Sequence, residues 1–225
     1  MKLESRVVRI TGADGPVGSA IALRFARHGA FVVLNDIVSR NLDRVASEVV
    51  EVEGGKALIA LGDVTKRAHV DRVMREAHEA FGRIDVLVNN AGDDEEVALQ
   101  AASVCSDAIL PAMRDRRAGR VINTCPVPSA VDGPGEGAEP IITLTRRLAL
   151  QYAECGVTVN CVAPGATMRT VIPDVREVAL EVIPMGRLAE PREIAAVYTF
   201  LGSEEAGYVT GQVLFVDGGL SLVQP

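Results

Sequence analysis

The sequence has few residues of the kinds that build metal sites, disulfide frameworks or aromatic binding surfaces. It contains no tryptophan, and aromatic residues make up 4% of its 225 positions. Its three histidines and four cysteines follow no metal-ligand spacing. Such sparse cysteine usage does not support the disulfide framework of a small secreted domain and is typical of a reducing compartment. We therefore predict neither a metal site nor disulfide bonds.

Basic charge and long apolar runs are also scarce. The chain carries 23 Lys and Arg against 30 Asp and Glu, a formal net charge of −7. Such a chain offers no basic face to a nucleic-acid backbone, and no apolar run approaches the ~20 residues that span a bilayer. A strand-like run begins at Arg6, which leaves no room for a signal peptide before it. We expect no nucleic-acid partner, no membrane partner and a cytoplasmic location.

The sequence does contain a regular alternation of β-branched runs and amphipathic helical segments. Residues 6–10 form a strand-like run that leads through a glycine-rich turn into a helix, and a later strand ends at Asp63. Helices are predicted for residues 39–53 and 94–116, among others, and no element is assigned to residues 166–185. Strands that alternate with helices through short loops predict a parallel sheet covered on both faces. The expected fold is therefore a single α/β domain over residues 1–225.

Three glycines and one acidic residue indicate a dinucleotide site. Gly12, Gly15 and Gly18 lie between the first strand and the first helix, where backbone N–H groups and the helix N-terminus can approach a pyrophosphate. Asp36 ends the second strand-like run. A carboxylate at that position can accept hydrogen bonds from the adenosine ribose and repels the 2′-phosphate of NADP. We therefore predict NAD as the cofactor.

A series of motifs resembles the short-chain dehydrogenase/reductase family, including its 3-oxoacyl-ACP-reductase-like members. In order along the chain these motifs are "TGADGPVG", "GDV", "NNAG", "VNCVAPG" and "YVTGQVLFVDGG". The resemblance covers nearly the whole chain. It implies a doubly wound Rossmann-type α/β domain with a parallel sheet of about seven strands. It also implies a dimer or tetramer that oxidises alcohols or reduces carbonyls with NAD(P).

The resemblance also assigns cofactor-binding positions. The phosphate turn would consist of Thr11, Gly12, Asp14, Gly15, Val17 and Gly18. The ribose would be bound by Asp36, the adenine would be flanked by Asp63 and Val64, and the "NNAG" segment would contribute Asn90, Ala91 and Gly92. The nicotinamide would face Pro164, Gly165 and Thr167, with Thr170 as the alternative to Thr167. An alternative interpretation is that these residues only hold the fold together.

The phosphate turn departs from the family pattern at one position. The family's middle glycine corresponds to Pro16, whose ring adds bulk and which has no backbone N–H. Proline nevertheless suits the first turn of a helix. Gly15, one residue earlier, is expected to shift the turn, so that cofactor binding survives in weakened form.

The catalytic positions implied by the resemblance hold none of the family's four catalytic residues. Reduction of a carbonyl needs a proton donor aligned with the hydride, and the family supplies it from a tyrosine that is assisted by a lysine, a serine and an asparagine. Here the serine position is Pro126 and the asparagine position is Ala98, while residues 133–141 contain neither tyrosine nor lysine. The loops on either side of these positions are shorter than usual. We interpret the acidic run at residues 93–96 as a helix cap with first-turn acids.

Possible substitutes for the missing acid are few. Glu136 and Glu139 lie near the vacated position, and a carboxylic acid can donate a proton near neutral pH if burial raises its pKa. Cys125 could act as a nucleophile, but no histidine is near it in sequence. We favour a structural role for all three. The three tyrosines do not fit: one lies too far along its helix, and the others fall in the C-terminal region where the family packs its subunits. These tyrosines are Tyr152, Tyr198 and Tyr208.

Two functions remain open from sequence alone. The first is an NAD(H)-dependent oxidoreductase that acts on a carbonyl or alcohol through a trimmed, non-standard active site. The second is a catalytically inactive homologue that serves as a structural or regulatory subunit, in a homo-oligomer or in a hetero-oligomer with an active relative. Residues 186–219 follow the family closely, and this region forms the family's oligomer contacts.

Overall fold

The fold is that of a Rossmann-type α/β protein, as the alternating pattern predicts. A computed structural model describes residues 3–52, 54–92, 94–125, 139–168 and 173–223. The seven strands are β1 (Val7–Thr11), β2 (Phe31–Asp36), β3 (Lys56–Leu61), β4 (Val86–Asn89), β5 (Gly119–Thr124), β6 (Val157–Pro164) and β7 (Val213–Val216). The helices are α1 (Pro16–Arg27), α2 (Leu42–Glu51), α3 (Arg67–Phe81), α4 (Glu95–Arg116), α5 (Glu139–Tyr152), α6 (Pro173–Val182) and α7 (Pro191–Gly202).

The strands form one parallel sheet in the order β3-β2-β1-β4-β5-β6-β7. Successive side chains of a strand point to opposite faces, so Val7 faces one side of the sheet and Val8 the other. Helices α3, α4 and α5 pack on the first face, and α1, α2 and α7 pack on the second. A smaller apolar cluster joins α6 to the segments around Ala166, Leu188 and Leu220.

Several predicted boundaries differ from the structure. The second helix begins at Leu42 rather than near residue 39, and the third strand ends at Leu61, so that Asp63 lies in the following loop. Residues 166–185, which received no element, contain helix α6. Its first residue is Pro173, a position at which proline is favoured because no N–H is needed there. This start signal was available in the sequence and was missed.

The acidic run at the start of α4 is a helix cap, as predicted. The Asp94 side chain accepts a hydrogen bond from the backbone N–H of Val97 at 2.9 Å, and Glu95 and Glu96 occupy the first turn. Acidic side chains in this position satisfy free N–H groups and oppose the positive end of the helix dipole.

Candidate functional site

The strand order reverses between β1 and β4, a switch point at which an open parallel sheet is expected to leave a crevice. The chain runs outward from β1 to β2 and β3 on one side, and from β4 to β5, β6 and β7 on the other. In an open parallel sheet the connections after such a pair of strands leave in opposite directions, and ligands bind at the carboxyl ends of the strands there. Thr11 and Asn89 end the two central strands.

The glycine turn after β1 is shaped by close backbone contacts. Gly12 adopts a positive φ of 64°, and a Cβ atom on this residue would lie 2.7 Å from the carbonyl oxygen of Asn90. A Cβ atom on Gly18 would lie 2.0 Å from the carbonyl oxygen of Gly12. At both positions only glycine fits. At Gly15 the nearest atom would be 3.7 Å away, so the surface over this residue is open.

Helix α1 begins directly in this turn. Gly15 is its N-cap with extended backbone, and Pro16 is its first residue. The first N–H groups of a helix have no partner inside it. The N–H groups of Val17 and Gly18 also make no hydrogen bond within the described part of the chain. An open glycine followed by free N–H groups and the positive end of the helix dipole is an arrangement that fits a pyrophosphate.

Thr11 links the end of β1 to the segment that follows β4. Its Oγ1 accepts hydrogen bonds from the backbone N–H groups of Asn90 and Ala91 at 2.9 and 3.0 Å. The Asn90 side chain in turn donates to the carbonyl of Gly12 at 3.2 Å. Because the Thr11 side chain is buried, it holds the crevice open and does not face it.

Asp36 lies next to the glycine turn. Its Oδ2 accepts a hydrogen bond from the backbone N–H of Asp14 at 3.0 Å, and its Oδ1 accepts one from the backbone N–H of Ile37 at 2.8 Å. The half-buried carboxylate is therefore fixed at the edge of the crevice. Each oxygen keeps a lone pair for a further donor.

The two residues predicted to flank an adenine lie in the loop after β3. The hydroxyl and N–H of Thr65 both donate to Asp63 Oδ1, and these bonds lower the pKa of the Asp63 carboxyl below its ordinary value. The neighbouring Val64 is buried. Gly92, at the end of the "NNAG" segment, touches α4, and a Cβ there would lie 2.6 Å from the N of Ala98.

The segment after β6 is held by the C-terminal part of the chain. A Cβ atom on Gly165 would lie 2.5 Å from the Cα of Asp217. Thr167 is buried and forms an isolated parallel bridge with Ala189. A cavity of about 460 Å³ borders this segment and is lined by residues that include Ala166, Phe215 and Asp217. Pro164 ends β6, and Thr170 lies outside the described residues.

The implied catalytic positions fall partly outside the described residues. Ala98 lies on α4 and is buried, with its backbone against Gly92. The positions at 126 and 133–138, which include Glu136, are not described. Glu139 is the first residue of α5, and its side chain is exposed.

Cys125 follows β5 and is fully buried. Interaction with the neighbouring Cys161 thiol lowers the pKa of Cys125. The same interaction, together with burial, raises the pKa of Cys161. The contact between these two thiols was not anticipated from sequence.

Tyr198 lies in the C-terminal region, as predicted, but is not available at a subunit surface. It is completely buried between α7 and the sheet, and its hydroxyl is 2.7 Å from Thr124 Oγ1 at the end of β5. Burial raises the pKa of Tyr198 well above its ordinary value, so it is a poor acid. Tyr152 ends α5, and the side chain of Tyr208 is fully exposed.

A buried arginine was also missed. Arg9 has an exposed fraction of 0%, and it donates from Nη2 to Oδ1 of Asn35 at 2.7 Å. Asn35 donates onward to the carbonyl of Ala60 at 2.8 Å. The Arg9 Nε has no hydrogen-bond partner among the described residues, and no ion pair to Arg9 is present among them. The only signal in the sequence was a single charge inside an otherwise apolar strand.

Comparison with known proteins agrees with this geometry. Residues 6–177 match the family described as short chain dehydrogenase. The chain belongs to this family. Its members generally use NAD(P) and are commonly oligomeric.

Similar proteins include two enzymes and one solved structure from this family. The chain is 37% identical to the 3-oxoacyl-acyl-carrier-protein reductase FabG of Thermotoga maritima, over 98% of this chain and 99% of that protein. It is 36% identical to the hydroxy(phenyl)methylsuccinyl-CoA dehydrogenase subunit BbsD of Thauera aromatica, over 99% of both chains. The crystal structure of levodione reductase superposes with a TM-score of 0.87 at 30% identity, covering 98% of this chain and 99% of that one.

The length of the alignment to a relative is relevant to the loops that are shorter here than is usual in the family. The alignment to the Thauera aromatica subunit spans 249 positions, although this chain has only 225 residues. The relative therefore has roughly two dozen positions that this short-chain dehydrogenase lacks. Within the described ranges, no helix is long and apolar enough to cross a bilayer, and no group of three potential ligand side chains could hold a metal ion.

Proposed function

We propose that this member of the short-chain dehydrogenase family binds NAD(H) at the crevice between β1 and β4. The observation that carries the proposal is the glycine turn: two glycines are enforced by backbone contacts, and a third is left open in front of the N-terminus of α1. A nicotinamide cofactor would supply or accept a hydride. Val17 and Gly18 would bind the pyrophosphate through their N–H groups.

The carboxylate of Asp36 supports a preference for NAD(H) over NADP(H). Its two oxygens are held by backbone N–H groups, and their remaining lone pairs can accept the ribose hydroxyls. A 2′-phosphate in the same place would meet a fixed negative charge. Asp63, Val64, Asn90 to Gly92, and Pro164 to Thr167 would line the rest of the cofactor, as the family resemblance assigns them.

On this basis the protein is an oxidoreductase that acts on a carbonyl or alcohol through a non-standard active site. The segment after β6 and the cavity beside Ala166 offer room for a substrate. None of the described residues that the sequence offered for the acid position is a suitable proton donor, because Glu139 is exposed, Ala98 has no acidic group and the Tyr198 hydroxyl is buried. The oxidoreductase function would then take its acid from residues 126–138, where Glu136 is the candidate.

A second function is favoured by two observations. The implied asparagine position is filled by Ala98, whose backbone is packed against Gly92, and one of the similar proteins is by its name a subunit of a dehydrogenase. In this alternative the chain binds the cofactor but transfers no hydride. It would act as a structural or regulatory subunit, in a homo-oligomer or together with an active relative in the cytoplasm.

Calorimetric titration with NADH tests the cofactor site, and absorbance at 340 nm with a panel of ketones and 3-oxoacyl thioesters tests turnover. The oxidoreductase function predicts NADH binding and a measurable rate that falls in the Glu136→Gln variant but not in the Glu139→Gln variant. Binding without any turnover by the isolated protein, with turnover only beside an active relative, would support the subunit function. Absence of NADH binding would contradict both.

A further inference from the structure

A second carboxylate stands beside Asp36, and its charge has no role in the function proposed above. Asp14 lies in the glycine turn and donates its backbone N–H to Asp36 Oδ2 at 3.0 Å. By covalent geometry its own carboxylate is then within about 8 Å of that of Asp36. We infer that Asp14 is a second determinant of nucleotide selectivity, which disfavours the 2′-phosphate of NADP(H) by its negative charge. The inference rests on the proposed cofactor site.

Hydrogen bonds to the start of α2 fix the position of this carboxylate. The backbone N–H of Asn41 donates to Asp14 Oδ1 at 2.6 Å. The Asn41 side chain adds contacts of 3.3 Å to the Asp14 carbonyl and 3.4 Å to Oδ2. Because Asn41 is the N-cap residue of α2, Asp14 ties the glycine turn to the loop that follows β2. The Asp14 carboxylate therefore cannot move away from Asp36, the proposed ribose-binding residue, without losing these hydrogen bonds.

Neither acid forms an ion pair with a basic side chain in the part of the chain that the structure describes. Arg40 lies in the same loop and is exposed, but neither it nor any other basic side chain of the described residues forms an ion pair with Asp14 or Asp36. A 2′-phosphate brings close to two negative charges. A 2′-phosphate bound next to Asp36 would therefore lie near both carboxylates, and with a Debye length of about 8 Å at physiological ionic strength neither charge would be fully screened from it.

The two acids differ in what they do for NAD(H). Asp36 can accept ribose hydrogen bonds and so contributes to the binding of either nucleotide. Both oxygens of Asp14 are directed at Asn41 on the α2 side of the turn, so we expect Asp14 to act on the phosphate through its charge and not on the ribose hydroxyls. Removing Asp36 should then weaken NADH binding and leave part of the discrimination intact, because Asp14 remains in place.

Calorimetric titration of four variants with NADH and with NADPH tests the inference. The variants are Asp14→Asn, Asp36→Ala, their combination, and Asp43→Asn as a matched control. Asparagine at position 14 keeps an oxygen for the Asn41 N–H but removes the charge. Asp43 is an exposed acid in the first turn of α2 whose carboxylate makes no hydrogen bond to the turn within the described residues.

We expect Asp14→Asn to tighten NADPH binding about fivefold and to leave NADH binding within about twofold. Asp36→Ala should retain a preference for NADH of a few fold, and only the combination should bind the two nucleotides about equally. The Asp43→Asn control should leave the ratio of the two dissociation constants unchanged. Melting temperatures of the free variants report separately on the contact with Asn41.

Two results would overturn the inference while leaving the proposed cofactor site intact: equal affinities already in Asp36→Ala, or equal changes in both affinities in Asp14→Asn. The second result would show a purely structural role of Asp14 in holding α2. If the unaltered protein binds neither nucleotide, the proposed function fails, and the inference fails with it.

Discussion

At the carboxyl ends of β1 and β2, polar side chains hold backbone atoms in place, whereas around β4, β5 and the helices packed against them polar side chains mostly hold one another. In the first region Thr11 binds the N–H groups of Asn90 and Ala91, and Asp36 binds that of Asp14. In the second, Asn89 donates to Asn123, and Asn123 donates to Thr145, at 2.9 Å in both bonds.

This difference explains why one half of the site is easier to interpret than the other. A cofactor crevice depends on backbone positions, and those are fixed by many contacts that each restrict which residue fits. Catalysis depends on a few side chains at positions where the fold does not restrict the residue type. Behind β5 the available hydroxyls of Thr124, Thr145 and Tyr198 are already engaged with neighbours, so they support the fold and do not face a substrate.

The largest expected loss of stability comes from the first region, where backbone contacts restrict the residue type. Gly18→Ala should abolish stable folding or cost about 5 kcal/mol of unfolding free energy, because its Cβ would lie 2.0 Å from the Gly12 carbonyl oxygen. The matched variant Gly15→Ala has open space and should cost no more than about 1 kcal/mol. Urea unfolding measures both. Similar losses in the two variants would show that the turn is not set by this contact.

Disruption of the buried hydrogen bond between Arg9 and Asn35 should cause the next largest loss of unfolding free energy. Asn35→Leu leaves the guanidinium of Arg9 without its acceptor in the core, which should cost about 3 kcal/mol. The double variant Arg9→Met with Asn35→Leu removes the charge as well and should regain most of that loss. Urea unfolding of both variants tests this, and a double variant no more stable than Asn35→Leu would be the contrary result.

In the second region the loss of a single side-chain hydrogen bond should lower the unfolding free energy by a smaller amount. Tyr198→Phe removes the hydroxyl that contacts Thr124 and keeps the packing of the ring, so we expect a loss of about 1 kcal/mol. NADH affinity should stay within about twofold, because the Tyr198 hydroxyl is completely buried and is separated from Asn90 by Thr124. A large loss of NADH binding at unchanged stability would mean that this hydroxyl positions the site, and the two regions would then be coupled.

The smallest effect on stability is expected at an exposed ion pair between Arg187 and Glu193 in the first turn of α7. The Arg187 guanidinium binds Glu193 at 2.8 Å and lowers the pKa of Glu193 to about 2 from its ordinary 4.5. A lowered carboxyl pKa stabilises the fold above about pH 4.5, and that contribution is lost as the pH falls toward 2. Because both side chains are largely exposed, it should stay below about 1 kcal/mol.

Unfolding free energies at pH 5.5 and 3 would measure this contribution. The gap between the unaltered protein and Glu193→Gln should shrink as the pH falls, while Glu177→Gln, an exposed glutamate on α6, should show no such trend. A gap that is constant with pH would contradict the role of the Arg187 contact.

Much of the first region was predictable because its signals are local. The turn glycines, Asp36 at the end of β2 and the Asp94 cap each follow from residue type and position next to a strand or helix, and the structure places them there. The boundaries of α2 and β3 and the existence of α6 were missed. There the apolar pattern is weak, and packing against the rest of the chain decides where each element starts and ends.

The features that sequence did not reveal join residues far apart in the chain. Asp14 meets Asn41, Arg9 meets Asn35, and Tyr198 meets Thr124 across 74 positions. No local pattern encodes such pairs, since each depends on strand order and on which face of the sheet a side chain occupies. Cys125 and Cys161 likewise meet only because β5 and β6 are neighbours.

The sequence by itself determined the alternation of strands and helices, the glycine turn and the acid that follows β2, because these depend on side-chain size, charge and period along a short stretch. The tertiary structure alone decided that Asp14 and Asp36 share one corner of the crevice, that Tyr198 is buried beneath the site, and that a charged Arg9 is held in the core. The physical reason is that charge interactions and burial depend on distance in space, which the folded sheet sets.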